Sequence, residues 1–281
     1  MGRKRSRGGG QSSFQRNGAD SGRGGRNNGW LDFASSPHGV GESRLAFRCR
    51  VEDGCYRGYT EGSYLIFKVF KPDPIYRQVS DVDGRDVHMQ HCAVRLAQEF
   101  NEACDPTRYG ESCNVYVRDA ALGEFDYDRD LYDEYGRRFR VNDGQPFLLE
   151  REIRGSFEKF NSNSGWSSGT DPILEAFSHW TWVHTDGDHL VCDLQGHRGE
   201  PGDGTPYRGE EDYYYLLTDP AICSSCREFG ESDLGPAGIN SFFANHRCNE
   251  WCEHLDIEYE RPQYAYAALA RRRSTSYHSL S

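Results

Sequence analysis

HLVCDLQGHRG, residues 189–199, is the stretch on which the reading of this chain turns. Leu190 and Val191 read as buried strand, and Asp193 and Gln195, two apart, fall on one side if the extended geometry continues. Gly196 then frees the chain to turn. A carboxylate and an amide oxygen aimed at one point are ligands for a divalent cation, or acceptors for a substrate hydroxyl. The plainer reading is a strand that ends in polar residues, and the neighbouring sequence decides between the two.

Upstream, DPILEAFSHWTWVHT (171–185) reads as a helix with Asp171 as its N-cap and Pro172 at its first position. QPFLLEREI (145–153) reads as a strand. In DVHMQHCAVRLAQEFNEA (86–103), Met89, Ala93, Leu96, Phe100 and Ala103 make one apolar face at helical period, with Asp86 at its head. SRLAFRCRVEDG (43–54) and GSYLIFKVFKP (62–72) read as strands between glycine-containing turns. Strands, a helix, more strands and a mixed second half predict an α+β fold. The Gly/Pro/acid-rich segment from Arg198 to Tyr215 reads as a surface loop.

The 281 residues are 36% hydrophobic and 13% aromatic, enough for one large or two small domains with a real core. No run of about 18 apolar residues and no secretory signal is found, so an intracellular protein is expected, without a membrane span. Ten cysteines without a signal peptide predict reduced thiols and metal ligation rather than a disulfide framework. Residues 1–29 carry seven Lys or Arg against one acid, and 271–281 carry three Arg and no acid, so the formal −11 leaves −20 for residues 30–270. An acidic body repels membrane surfaces and nucleic-acid phosphate and favours a basic protein or peptide partner. Residues 1–29 are too poor in apolar side chains to fold and predict a disordered basic Gly/Arg-rich arm, a route to the nucleus or to RNA, or a solubilising tail.

Lys68 sits inside YLIFKVF, among apolar and aromatic neighbours. An ammonium withdrawn from water needs a counter-charge. Either the strand is an edge whose lysine reaches solvent, or the cation faces an anion such as a nucleotide phosphate, with Asp86 as a partner. NHRCNEWC (245–252) clusters His246, Cys248 and Cys252, with the cysteines at i, i+4 spacing. Three soft ligands need a fourth for tetrahedral zinc. His179, His254 and the Cys223–Cys226 pair all qualify. DLGPAGI (233–239) offers Gly235 and Gly238, by themselves no more than a turn.

Taken together, LEREIRGSFEKFNSNSG, AFSHWTW, LVCDLQG, LTDPAI, DLGPAGINSFF and HRCNEWC, in this order, resemble the alpha-kinase family of atypical protein serine/threonine kinases. The resemblance implies a two-lobed kinase fold with a zinc-stabilised C-lobe. The kinase domain would span 30–258, its N-lobe about 30–148 and its C-lobe about 149–258, followed by a tail at 259–281. It implies ATP and magnesium, and transfer of the γ-phosphate to Ser or Thr of a protein substrate. A zinc-stabilised pseudokinase is the alternative. By the same resemblance Asp193 is the catalytic aspartate, Lys68 contacts phosphates and Asp86 stands where the family has an acidic partner. Glu150, Arg151 and Ile153 lie in the adenine-holding hinge, and Gly41 and Arg44 in the phosphate-covering loop. Gln195 and Asp219 hold magnesium, while Gly235 and Gly238 belong to a glycine-rich loop that opens with Asp233 where the family has glycine. His179, His246, Cys248 and Cys252 bind structural zinc. An acidic insertion at roughly 198–213 and a tail whose Ser274, Thr275 and Ser276 follow three arginines are this chain's own features.

Overall fold

In the computed structural model the described residues are 14–17 (as backbone), 30–72, 82–104, 114–200, 213–258 and 260–262. The rest of the N-terminal arm, most of the acidic insertion (201–212) and the C-terminal tail from 263 lie outside them. The chain runs through β1 (Phe14–Asn17), β2 (Trp30–Ala34), β3 (Gly39–Val40), β4 (Arg44–Asp53), β5 (Cys55–Tyr56), β6 (Tyr59–Thr60) and β7 (Tyr64–Phe70). Helix α1 (Gly84–Ala103) and β8 (Val115–Val117) follow, then β9 (Ala120–Glu124), β10 (Arg129–Tyr132), β11 (Arg138–Val141) and β12 (Pro146–Arg151). Beyond them come β13 (Glu158–Lys159), α2 (Pro172–His184), β14 (His189–Cys192), β15 (Gln195–Gly199), β16 (Tyr214–Leu217) and β17 (Ala221–Ser224). Two helices, α3 (Pro236–Asn245) and α4 (Glu250–His254), end the described chain.

Contacts divide the chain into two compact units, one running to Asp83 and taking in Ala121–Glu152, the other comprising Gly84–Ala120 and everything from Ile153. The first unit is built on a sheet of order β1-β2-β4-β7-β12-β9, with β3 also on β4. Strand alternation divides its faces. Leu45, Phe47, Cys49 and Val51 of β4, Leu65, Phe67 and Val69 of β7, and Phe147 and Leu149 of β12 form one core. Phe33, Phe47, Phe125 and Phe147 all pack on Phe67, with ring centroids 4.8–5.9 Å away. Within the arm expected to stay unfolded, Phe14–Asn17 pairs antiparallel with β2.

The second unit buries Met89, Ala93, Leu96 and Phe100 of α1 against Leu174, Phe177 and Trp180 of α2 and Val191, Leu217 and Ile222 of the strands. The apolar face of α1 thus forms as its period predicts, except that Ala103 is exposed and the stripe ends at Phe100. A four-stranded sheet of order β13-β15-β16-β8, whose β16–β8 pair is parallel, lies with a separate β14–β17 pair. Arg198 and Gly199 belong to β15, and Tyr214 and Tyr215 to β16, paired across from each other. The surface loop is therefore shorter at both ends than composition alone suggested. Among the described residues eight cysteines are free, as expected, and Cys104 is the exception, being disulfide-bonded. Among the described residues no helix is long and apolar enough to cross a membrane.

Candidate functional site

Lys68 lies on β7, which is flanked by β4 and β12, so the edge-strand reading fails. The residue is 6% exposed, and its ammonium meets the Glu150 carboxylate at 2.7 Å. Register explains the encounter: Lys68 pairs with Leu148 and with Ala46. Glu150 and Arg44, two residues beyond those partners, share the Lys68 face, opposite the aromatic core. Arg44 rests its guanidinium 5.0 Å from the centre of the Phe70 ring. Glu150 was expected only as hinge backbone; its buried side chain supplies a counter-charge for the lysine. Asp86 is half-buried in the first turn of α1. Gly41 lies in the β3–β4 turn, its N–H donating to the Arg44 carbonyl at 2.9 Å. Arg151 ends β12, exposed, with its guanidinium 5.9 Å from the Tyr59 ring, and the chain passes from one unit to the other between Glu152 and Ile153.

In the second unit the opening stretch behaves differently from a continued strand. β14 stops at Cys192, and Asp193 takes a left-handed conformation with φ 57°. Gln195 then starts β15 in the other sheet. The two side chains still meet, through this kink and not through alternation: the Gln195 amide donates to Asp193 Oδ2 at 3.4 Å and to the Asp219 carbonyl at 3.2 Å. Asp219 is left-handed as well, φ 50°. Cys192 pairs with Ala221, so both aspartates stand at the same end of the β14–β17 ladder. Asp tolerates this conformation better than most residues, yet two such turns at one point mark stored backbone strain, a feature that gathers at functional sites.

Lys159 on β13 reaches the Asp193 carboxylate at 3.0 Å, and the Asn163 N–H donates to the same group. Burial holds the Asp193 pKa above its ordinary value, with Asp219 pushing the same way and Lys159 opposing. Lys159 is the residue that sequence reading missed. Its signal was faint, a lysine between aromatics in FEKF, and its position depends on the Lys159–Gln195 strand pairing.

Gly196 does not turn the chain. It sits in β15, where a Cβ would lie 2.1 Å from the Leu216 carbonyl oxygen, so glycine permits strand contact. Gly235 caps α3 with φ 63°. Gly238 is inside that helix, where a Cβ would meet the Cys223 sulfur at 2.3 Å, so close helix–strand packing accounts for it. The departure at Asp233 has a structural role. Its buried carboxylate accepts hydrogen bonds from the Ser224 N–H and hydroxyl, the Phe229 N–H and the Gly235 N–H, which fixes the turn.

A second cluster joins His179 of α2, His246 at the end of α3, Cys248, and Cys252 of α4, with their ligand atoms all within 4.8 Å of one another. Cys248 lies before α4, whose N-cap is Asn249, so the cysteines are not both on one helix. Cys248 Sγ is 3.8 Å from His179 Nδ1, and Cys252 Sγ is 3.6 Å from His246 Nε2. Tetrahedral zinc, with its usual bond lengths, places sulfur and nitrogen about 3.6 Å apart, so this donor set fits the ion. The outer nitrogen of His179 is also oriented, Nε2 lying 2.7 Å from the Glu260 carbonyl, while buried His246 Nδ1 faces the Glu175 carboxylate at 3.6 Å without a hydrogen bond. Among the open alternatives, Cys223 lies beside Cys192 at 3.7 Å and Cys226 is exposed; neither these nor His254 belongs to the cluster.

The model of the alpha-kinase family matches residues 39–252. Curated relatives include the alpha-protein kinase vwkA of Dictyostelium discoideum, 39% identical over 114 residues that make 40% of this chain and 16% of that protein. Human transient receptor potential cation channel subfamily M member 7 is 36% identical over 81% of this chain and 11% of its own length. Human eukaryotic elongation factor 2 kinase is 28% identical over 81% of this chain and 28% of its own. The chain thus spans less than a third of each of these relatives. Among solved structures, the alpha-kinase domain of myosin-II heavy chain kinase A in complex with AMP-PNP superposes with a TM-score of 0.63 at 21% identity, covering 83% of this chain and 89% of that one. An alpha kinase from Entamoeba histolytica gives 0.60 at 25% identity, covering 84% and 80%.

Proposed function

Because the chain belongs to the alpha-kinase family and has its α+β fold, we propose that it is a protein serine/threonine kinase, with a kinase domain at 30–258, transferring the γ-phosphate of ATP to a hydroxyl of a protein substrate. The observation that carries this reading is the convergence of Lys159, Asp193, Gln195 and Asp219 at adjoining strand ends. Phosphoryl transfer asks little covalent chemistry of a protein and much positioning. Asp193 accepts the proton of the Ser or Thr hydroxyl as the hydroxyl oxygen bonds to the γ-phosphorus, whose bond to the bridging oxygen breaks to release ADP. Lys159 and the Asn163 N–H hold that carboxylate in place. Gln195 and Asp219 would hold magnesium, which would supply positive charge and a template for phosphate oxygens.

On the first unit, Lys68 is the cation for the nucleotide phosphates, aligned by Glu150, with Arg44 and the Gly41 turn on the same task; Asp86, in the first turn of α1, takes the family's acidic position. The backbone from Glu150 through Arg151 to Ile153 holds adenine. The Gly235 turn, whose shape Asp233 sets, forms the C-terminal loop, and Gly238 packs the following helix closely on Cys223. His179, His246, Cys248 and Cys252 would hold a structural zinc, four protein ligands being the usual set of a closed structural site. A basic protein suits a body of such negative charge, and a cytoplasmic location suits this reading.

The experiment incubates the purified chain with ATP, magnesium and a degenerate Ser/Thr peptide library, and locates phosphate by mass spectrometry. Phosphopeptides from wild type and at least a ~100-fold loss in Asp193→Asn are expected, the scale of losing a general base. No phosphopeptide from wild type, or undiminished yield from Asp193→Asn, overturns the reading.

A further inference from the structure

The segment that clamps Asp193 also carries two large aromatic side chains turned to solvent. Phe160 and Asn161 donate their N–H groups to the Leu194 carbonyl, and Asn161 Oδ1 accepts from the Leu194 N–H. With Lys159 and Asn163 on the Asp193 carboxylate, residues 159–163 wrap the proposed catalytic group. Phe157, two residues before the clamp, is 61% exposed, and Trp166, three residues after it, is 53% exposed. Between them Phe160 is buried.

Single exposed apolar side chains are ordinary on protein surfaces. These two are held on fixed backbone. The Ser162 N–H donates to the Trp166 carbonyl at 2.9 Å, and the Trp166 N–H to Ser162 Oγ at 3.0 Å. A Cβ at Gly165 would lie 2.5 Å from the Ser241 carbonyl, so the loop rests directly on α3. On the other side, the His197 ring fills the space beside Gly155 and takes the Ser156 carbonyl at 3.0 Å. β13 ends its sheet, paired on one side by β15, and an outer strand accepts an extended peptide by backbone pairing. Residues 160–170 carry no charged side chain, and among Asn, Ser, Thr and Gly the exposed Trp166 is the large apolar group this loop offers a peptide.

We propose that Phe157 and Trp166 are specificity-determining residues that seat the phosphoacceptor segment. The inference rests on the kinase reading above. The occupant is an extended stretch of a protein substrate with large apolar side chains two to three residues to either side of the accepted hydroxyl. The spacing follows from reach: Phe157 is two residues of chain from Lys159, at most roughly 7 Å, the Ser162–Trp166 pairing brings Trp166 back beside the clamp, and a strand advances about 3.3 Å per residue.

The test measures kcat/KM for peptides that differ only at these flanking positions, Leu or Phe against Ser, with wild type, Phe157→Ser, Trp166→Ser and the conservative Trp166→Phe. Wild type is expected to favour apolar flanks by about 10-fold or more, the scale of filling one hydrophobic subsite. Each serine variant is expected to lose the preference on one side of the hydroxyl only, with the change in KM, and Trp166→Phe to retain it. Equal use of apolar and serine flanks by an active wild type overturns the platform and leaves the kinase reading standing. An unchanged preference in both serine variants does the same. A wild type that phosphorylates nothing overturns both.

Discussion

Lys68 demanded a counter-charge from the sequence alone, because an ammonium among Leu, Ile, Phe and Val is costly unless paired. The partner was not legible, since it depends on the register by which β12 meets β7. Glu150 at 2.7 Å supplies one, both side chains under a tenth exposed. Glu150→Ala is therefore expected to destabilise the protein by about 3–5 kcal/mol, and Glu150→Leu with Lys68→Met by much less, because the pair is removed together; urea unfolding separates these outcomes. Asp193 shows the opposite economy. Burial raises its pKa, so its ionised form costs the fold stability in full above that pKa, and the cost shrinks as pH falls below it, vanishing at the unfolded value. Asp193→Asn should thus match or exceed the wild-type Tm while phosphotransfer fails. The acid limb of the kcat profile should lie above the ordinary carboxylate value of about 4. Lys159→Met, which removes the opposing cation, should move that limb to higher pH, whereas Lys159→Arg should keep it near the wild-type position. A limb at or below the ordinary value, or one that Lys159→Met moves downward, contradicts the assignment.

At the scale of elements, periodicity was readable and endings were not. α1 shows its apolar face from Met89 to Phe100, and α2 starts after Asp171 as capping chemistry requires. Yet the Asp171 carboxylate makes no cap bond and instead accepts the Tyr215 hydroxyl at 2.7 Å, a partner 44 residues away that no local pattern reveals. The meeting of Asp193 with Gln195 was likewise foreseen for the wrong reason. Alternation along one strand was assumed; a left-handed residue between two sheets achieves the same encounter. Gly196 makes this arrangement testable. Gly196→Ala places a methyl against the Leu216 carbonyl on a residue at φ 150° and should cost about 1–3 kcal/mol by overpacking, added to the strain of that φ. It should also reduce phosphotransfer, since Gln195 precedes it. Gly136→Ala, with φ 74° and nothing within 4 Å, bears only the conformational strain of about 1 kcal/mol. Equal effects on Tm and rate from the two substitutions would show that strand contact at Gly196 is unimportant.

For the molecule as a whole, the proposed zinc cluster would tie together the helices of the second unit. His179, His246, Cys248 and Cys252 come from one long helix, the end of a second, a loop and a short third helix. α4 has five residues, too few to be stable by itself. The sequence showed three of these ligands in eight residues, but left the fourth among several groups, because proximity across 67 residues is a tertiary fact. Without a cation, burial pushes the Cys252 thiol up to about 12 and the His179 imidazole down to about 4. Zinc must therefore displace protons from the thiols as it binds, and its affinity should fall with pH. One zinc per chain is expected by elemental analysis. Its removal by a chelator should lower Tm by at least ~10 °C, since structural zinc contributes several kcal/mol and each is worth about 2–4 °C in a chain of this size. Cys252→Ser should reproduce that loss together with the loss of metal, while Cys226→Ser, at an exposed position, should retain both zinc and Tm. Hydrogen exchange should locate the first loss of protection in α2, α3 and α4. Zinc retained by Cys252→Ser, or lost from Cys226→Ser, would move the metal to other ligands, and a chelator-treated protein of unchanged Tm would show that packing alone holds these helices.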